Sequence, residues 1–159
     1  MNIHDAKLID LTVHEDDRGY LFEIIHKSDD FVSGKGQELK QVYLVGNRIE
    51  KIIRAFHKHN ELHDWFCIVR GSAKFVLVDD RKDSPTYQKY DLIVCSDRSP
   101  KLLVVPPGIY HGWMSLEPDT IMISSASQEY NRDKPDEYRV TPYYFDNLIG
   151  TNPWEIEGR

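Results

Sequence analysis

Cysteine, long apolar runs and an excess of basic charge are what this chain has least of. Two cysteines in 159 residues cannot build the disulfide framework of a small secreted scaffold. Both Cys67 and Cys95 sit inside apolar runs, FCIV and LIVC, where free cysteine behaves as a small buried hydrophobe. A reduced, cytoplasmic protein is the expectation, with a Cys67–Cys95 bridge left open. No apolar run approaches the roughly 20 residues of a membrane span, and MNIHDAKLID carries charges where a signal peptide needs an apolar stretch. No membrane partner is expected. A formal net charge of −6 argues against a sequence-independent grip on nucleic acid, which needs concentrated Lys and Arg. Any phosphate must be met by local side chains. Repeats, linkers and low-complexity tracts are absent too, and helical periodicity is almost so.

What the chain does have is a succession of short β-branched and aromatic runs between turn residues. Its length suits one domain over residues 1–159, large enough to hold a core without disulfides or structural metal. Strands are expected near 8–13, 20–26, 41–45, 51–59, 64–69, 73–79, 91–94, 101–105, 110–115 and 120–125. An all-β sandwich or barrel follows. Turn compositions at 33–36, 70–71, 83–85, 106–108 and 117–119 support the breaks. From Asn131 onward the chain is rich in Asp, Pro and Tyr, which predicts a short irregular or helical segment packed on the barrel by Tyr143, Tyr144, Phe145 and Trp154.

Chemistry concentrates in Arg54-Ala55-Phe56-His57-Lys58-His59 and the Asn60-Glu61-Leu62-His63-Asp64 that follows. On a strand, residues two apart face the same way, so His57 and His59 share one face while Phe56 and Lys58 take the other. A hairpin at 60–63 would set Asp64 across from the pair. Pro106-Pro107-Gly108-Ile109-Tyr110-His111 offers a rigid turn that delivers another histidine at a strand start. Three readings compete: ordinary surface or core histidines; a divalent metal site, since HxH, Asp64, Gly71 and PxGxxH are spaced like the two metal-binding motifs of cupins; and metal-free acid–base catalysis by a histidine in a pocket.

Several segments resemble the dTDP-4-dehydrorhamnose 3,5-epimerase family. Asp17-Arg18-Gly19-Tyr20-Leu21-Phe22-Glu23 is similar to its DxRGxFxE stretch, and Gln41 matches its substrate-binding glutamine in identity and spacing. Arg54-Ala55-Phe56-His57 resembles RGLH, the run from Val78 to Tyr87 resembles VDLRxxSPTF, and the run from Pro107 to Trp113 resembles PxGFAHGF. The resemblance implies a double-stranded β-helix, the cupin jelly roll, dimerising through exchanged N-terminal strands and working without a cofactor or metal. It implies His57 as the base, Arg54 and Gln41 on the nucleotide diphosphate sugar, His111 near the sugar oxygens, and Arg18 and Glu23 on a nucleotide in the neighbouring subunit. Because Arg54 and His57 have opposite strand parity, a bulge must bring both to the mouth.

The departures from that family are specific. Its lysine falls on Asp64, reversing a charge, and leaves His111 or His59 to polarise the ketone. Its catalytic tyrosine is missing from Ile121-Met122-Ile123-Ser124-Ser125, which makes Tyr130 the nearest candidate acid, although a tyrosine there also suits stacking on the base. Its late aspartate is missing as well, so Asp64 is expected to take a hydrogen bond from His57 or His59 instead. Gln41-Val42-Tyr43-Leu44-Val45 and the HxH pair also resemble sugar-nucleotide 3,4-ketoisomerases, which have arginine where Gln41 stands. Epimerisation at C3 of a 4-keto-6-deoxy nucleotide sugar is the reading these residues favour. C3/C5 epimerisation, ketoisomerisation, a metal cupin and a non-catalytic nucleotide-sugar binder are its alternatives.

Overall fold

Runs such as FCIV, KFVLV and KLLVV carry little polar alternation, the pattern of strands covered on both faces. The computed structural model, which describes residues 1–34 and 36–156, shows what covers them. The elements are β1 (Lys7–Asp10), β2 (Val13–Asp16), β3 (Gly19–Phe22), α1 (Asp30–Ser33), β4 (Gln41–Asn47), β5 (Ile53–Lys58), β6 (Asp64–Arg70), β7 (Ser72–Asp79), β8 (Tyr90–Ser96), β9 (Lys101–Val105), β10 (Ile109–Ser115), β11 (Thr120–Ala126), β12 (Tyr138–Arg139) and α2 (Asp146–Ile149). Two five-stranded sheets, ordered β1-β9-β6-β11-β4 and β12-β5-β10-β7-β8, form a jelly roll, and β2-β3 makes a separate two-stranded ribbon. All the strand pairings are antiparallel.

Three apolar layers follow from the alternation. Phe66 and Ile68 of one sheet meet Phe75, Leu77, Ile109 and Trp113 of the other in the inner core. The opposite face of β6 and β9, through Trp65, Cys67, Leu102 and Val104, is covered by Val32, Phe22, Ile24 and Ile25. The outer face of the second sheet, through Phe56, Val76, Val78 and Met114, is covered by the C-terminal tail. Phe56 packs edge-on against Phe145 at 5.1 Å between ring centroids and lies 5.3 Å from Trp154. That explains an apolar residue on the outward side of a catalytic-looking strand.

The SPT segment has a structural job. Asp79, fully buried, accepts hydrogen bonds from Arg81 Nε at 2.8 Å, Ser84 Oγ at 2.7 Å and Thr86 Oγ1 at 2.7 Å. Burial alone would raise this carboxyl, but those bonds outweigh it and hold it well below the usual carboxylate range. Arg81 also reaches the His4 carbonyl at 2.7 Å, tying the N-terminus to the loop. Gly112 on β10 is required by a close approach. A Cβ there would lie 2.8 Å from Ala55 Cα and 3.0 Å from the Arg54 carbonyl, so only glycine lets β10 meet β5 at that point.

The differences from the expected elements have local causes. Strand 8–13 breaks after Asp10, where the Leu11 N–H turns to the Pro100 carbonyl at 3.0 Å, and β2 restarts at Val13. The expected 60–63 hairpin does not form: β5 and β6 belong to different sheets, so Asp64 faces the histidines from across the barrel. The tail contributes a strand, β12, besides a short helix; its buried apolar anchors are Phe145 and Trp154, with Val140 and Ile149 packed beside them. Tyr143 and Tyr144 are 59% and 63% exposed. Of the turn at 33–36, Lys35 lies outside the described residues. Cys67 and Cys95 are buried free thiols, pushed up to about 11 and about 12 by burial.

Candidate active site

Strand β5 carries the bulge that its parity requires. His57 pairs with His111 and Arg54 with Trp113, so three residues of advance on β5 answer two on β10. The extra residue rotates Arg54 toward the barrel mouth. There its Nε donates to Asn47 Oδ1 at 2.8 Å, and its Nη2 reaches the Gly46 carbonyl at 3.4 Å.

Three imidazoles gather next to the bulge. Ring centroids are 4.1 Å apart for His57 and His111, 5.6 Å for His57 and His59, and 5.7 Å for His59 and His111. His59 Nδ1 donates to the Asp136 carbonyl, and His111 Nδ1 donates to the Ile109 carbonyl at 3.0 Å. A carbonyl only accepts, so in both rings Nδ1 carries the proton and Nε2 is turned inward. Both Nε2 atoms face the buried Asp64 Oδ2, at 3.4 Å from His59 and 3.3 Å from His111. Neither contact is an aligned hydrogen bond, and His111 Nε2 and Asp64 Oδ2 are buried without one. Asp64 thus faces His59 and His111 without accepting the hydrogen bond expected from His57 or His59, and among the described residues it makes no contact with His57.

Burial, and then the neighbouring His111, His59 and Arg139, push His57 down to about 2. It is a neutral imidazole throughout the physiological range. The ligand atoms of His57, His59 and His111 lie within 4.8 Å of one another, so these residues could hold a divalent transition metal. The carbonyls of Asp136 and Ile109 would be its outer hydrogen-bond partners.

Two cavities of about 820 Å³ and 470 Å³ open onto this cluster and share Tyr43, His57, Glu137 and Arg139. Gln41, His59, Asp64 and Tyr130 line the larger, and Arg54 and His111 the smaller. Tyr130 is 60% exposed at the rim, its backbone N–H donating to Gln41 Oε1 at 2.8 Å. The cluster therefore unites His57, His59, Asp64 and His111, with Gln41, Arg54 and Tyr130 on the walls. Arg18 and Glu23 line neither cavity. Arg18 pairs with Asp16 at 2.5 Å on the exposed ribbon, and Glu23 pairs with His26 at 3.0 Å.

The sequence reading missed Tyr43, Asp136, Glu137 and Arg139. Tyr43 was within reach, because Gln41 points inward and period two puts Tyr43 on the same face. The others lie in a tail without strand periodicity. Arg139 meets the site because β12 pairs with β5, placing it opposite His57. The Asp136 carboxylate accepts the N–H groups of Asn60, Glu61 and Leu62 at 3.0, 2.8 and 3.2 Å. Although burial opposes it, those bonds keep Asp136 below the usual range and fix the loop after His59.

Comparison with known proteins agrees with this geometry. The model of the family described as dTDP-4-dehydrorhamnose 3,5-epimerase matches residues 1–145. The spore coat polysaccharide biosynthesis protein SpsL of Bacillus subtilis is 33% identical over 158 residues, covering 99% of each chain. The probable low-salt glycan biosynthesis epimerase Agl13 of Haloferax volcanii is 29% identical, over 98% of this chain and 97% of its own. A crystal structure of dTDP-4-dehydrorhamnose 3,5-epimerase from Bacillus anthracis, with TDP and PPi bound, superposes with a TM-score of 0.79 at 28% identity, over 88% of this chain and 81% of the other.

The half-buried, neutral His57 predicts a specific acid response. Its ordinary value of 6.5 falls to about 2 in the fold, so below pH 6.5 the unfolded chain takes up a proton that the folded one refuses. Folding stability should then drop by up to about 1.4 kcal/mol per pH unit from this residue alone. Urea melts between pH 7 and pH 5 should show His57→Asn losing less stability than the wild type by that slope. Parallel losses in the two proteins would refute the assignment.

Proposed function

The chain belongs to the dTDP-4-dehydrorhamnose 3,5-epimerase family, a family of isomerases, and on that premise we propose that it epimerises C3 of a 4-keto-6-deoxy nucleotide diphosphate sugar with His57 as the base. The observation that carries this reading is a neutral imidazole held where the two cavities join. A C3 proton beside a C4 ketone is acidified by the carbonyl. His57 takes it and becomes positive as the enolate becomes negative. The developing charge raises the basicity that burial suppresses, and a positioned base of this kind contributes about 10²–10⁴ in rate. His111 faces the smaller cavity and is the proposed partner of the ketone oxygen; because its Nδ1 proton is committed to the Ile109 carbonyl, it serves that oxygen only with a second ring proton on Nε2. Gln41 and Arg54 are the proposed contacts to the diphosphate sugar, helped by Arg139.

The Bacillus anthracis relative holds TDP and PPi, which supports a thymidine diphosphate sugar. The printed names of SpsL and Agl13 support a place in surface polysaccharide or glycan synthesis. Cytoplasmic residence is part of the proposal, supported by two buried free thiols. So is a homodimer in which Arg18 and Glu23 reach the partner's nucleotide, because the exposed β2-β3 ribbon carries Arg18 away from its own cavities. Arg18→Ala and His57→Ala, each inactive alone, should regain activity on co-refolding. No regain from verified mixed dimers would remove the shared site.

In deuterated water, the enzyme with a 4-keto-6-deoxy nucleotide sugar should place deuterium at C3 only. His57→Asn should abolish that exchange while nucleotide binding persists. Label at C5 would make it a 3,5-epimerase, and a 3-keto product would make it a ketoisomerase. Unchanged exchange in His57→Asn would refute the mechanism.

A second reading rests on the inward Nε2 atoms of His59 and His111 facing an unpartnered carboxylate, an arrangement that a divalent cation would satisfy. The epimerase reading expects exchange to survive exhaustive chelation. Turnover lost on chelation and restored by one transition metal would put the metal first.

A further inference from the structure

Epimerisation needs a second proton carrier, on the face of the sugar that His57 does not command. Strand β4 is the edge of its sheet, and period two puts Gln41, Tyr43 and Val45 on the side of the cavities and core, where Tyr43 lines both cavities while remaining 45% exposed. Tyr43 pairs directly with Ser124 of β11. Ser124 is fully buried and its Oγ has no aligned hydrogen bond, yet the Tyr43 hydroxyl comes close enough to feel it. Part of the ring is open to the cavity, whose wall also carries Asp64 and Glu137, near enough to act on the hydroxyl.

The geometry points to Tyr43 as the acid that returns a proton to C3 from the face opposite His57. Tyr43 stands on β4 of one sheet and His57 on β5 of the other, and both line both cavities. A planar enolate between them meets an acceptor on one side and an O–H donor on the other. Burial raises the phenol above its ordinary 10.0, the Ser124 hydroxyl offsets part of that, and the nearby Asp64 and Glu137 raise it again, so at neutral pH the hydroxyl holds its proton. It is a donor, not a competing base.

Space selects it as well. The strand that follows His111 carries serine at 124, and directly opposite it on the neighbouring strand stands Tyr43, on the same face of the sheet. Tyr130 stands at the rim, mostly exposed. In the balanced step, the C3–H bond breaks to His57 and a new C3–H bond forms from Tyr43 as the enolate collapses to the ketone. Imidazolium and phenolate then exchange one proton through water, and nothing is oxidised or reduced. This role rests on the epimerase reading, and the two can fail separately.

The test is Tyr43→Phe, checked for an unchanged melting temperature, in deuterated water. Exchange at C3 should persist within about threefold, because His57 can remove and return the proton on one face. Net inversion should fall at least about 100-fold, the loss expected for one positioned proton donor. Inversion at the wild-type rate in Tyr43→Phe would overturn the proposal. So would equal loss of exchange and inversion, which marks a positioning role, and so would selective loss of inversion in Tyr130→Phe instead. Absence of exchange in the wild type would refute the epimerase reading itself, and this assignment with it.

Discussion

A carboxylate buried to 3% exposure is the constraint around which the barrel mouth is organised. Taking Asp64 out of water is costly unless partners replace its hydration. The fold answers by aiming two imidazole nitrogens at one of its oxygens from the opposite sheet. Their orientation is set at a distance from the carboxylate, by backbone carbonyls at Asp136 and Ile109. Since those carbonyls consume the Nδ1 protons, the inward nitrogens can satisfy the carboxylate only if a proton or another cation joins them.

That constraint reaches outward through the backbone. Asp136 fixes His59 with its carbonyl and the loop after His59 with its carboxylate, so one tail residue governs both. The same tail adds β12 to the edge of β5 and brings Arg139 beside His57. It is held by Phe145 and Trp154 over Phe56, the neighbour of His57 in sequence. The residue that looks inert in the RAFH segment is the one that docks the segment completing the site.

The charges around the cavities are mixed rather than uniform. Arg54, Arg139 and Glu137 line the smaller cavity, Arg139, Glu137 and Asp64 the larger, and Arg139 contacts Glu137 at 2.9 Å. Such a site favours a ligand that is anionic at one end and polar but neutral at the other, as a nucleotide diphosphate sugar is. Recognition of phosphate by a few local cations fits a chain whose formal net charge is −6.

The sequence by itself determined the all-β class, the position of most strands, the shared inward face of His57 and His59, and the need for a bulge between His57 and Arg54. Each follows from the two-residue repeat of a strand or from residue types that act locally. Tertiary structure alone decided that Asp64 faces the histidines across the barrel rather than along a hairpin, that Tyr143 and Tyr144 stay exposed while Phe145 and Trp154 are buried, and that Asp136, Glu137 and Arg139 belong to the site. The repeat states which side of a strand a residue takes. It does not state which sheet lies opposite or where an aperiodic tail is laid down. Those outcomes depend on burying distant apolar faces together, and on Phe56 meeting Phe145 and Trp154 nearly a hundred residues later.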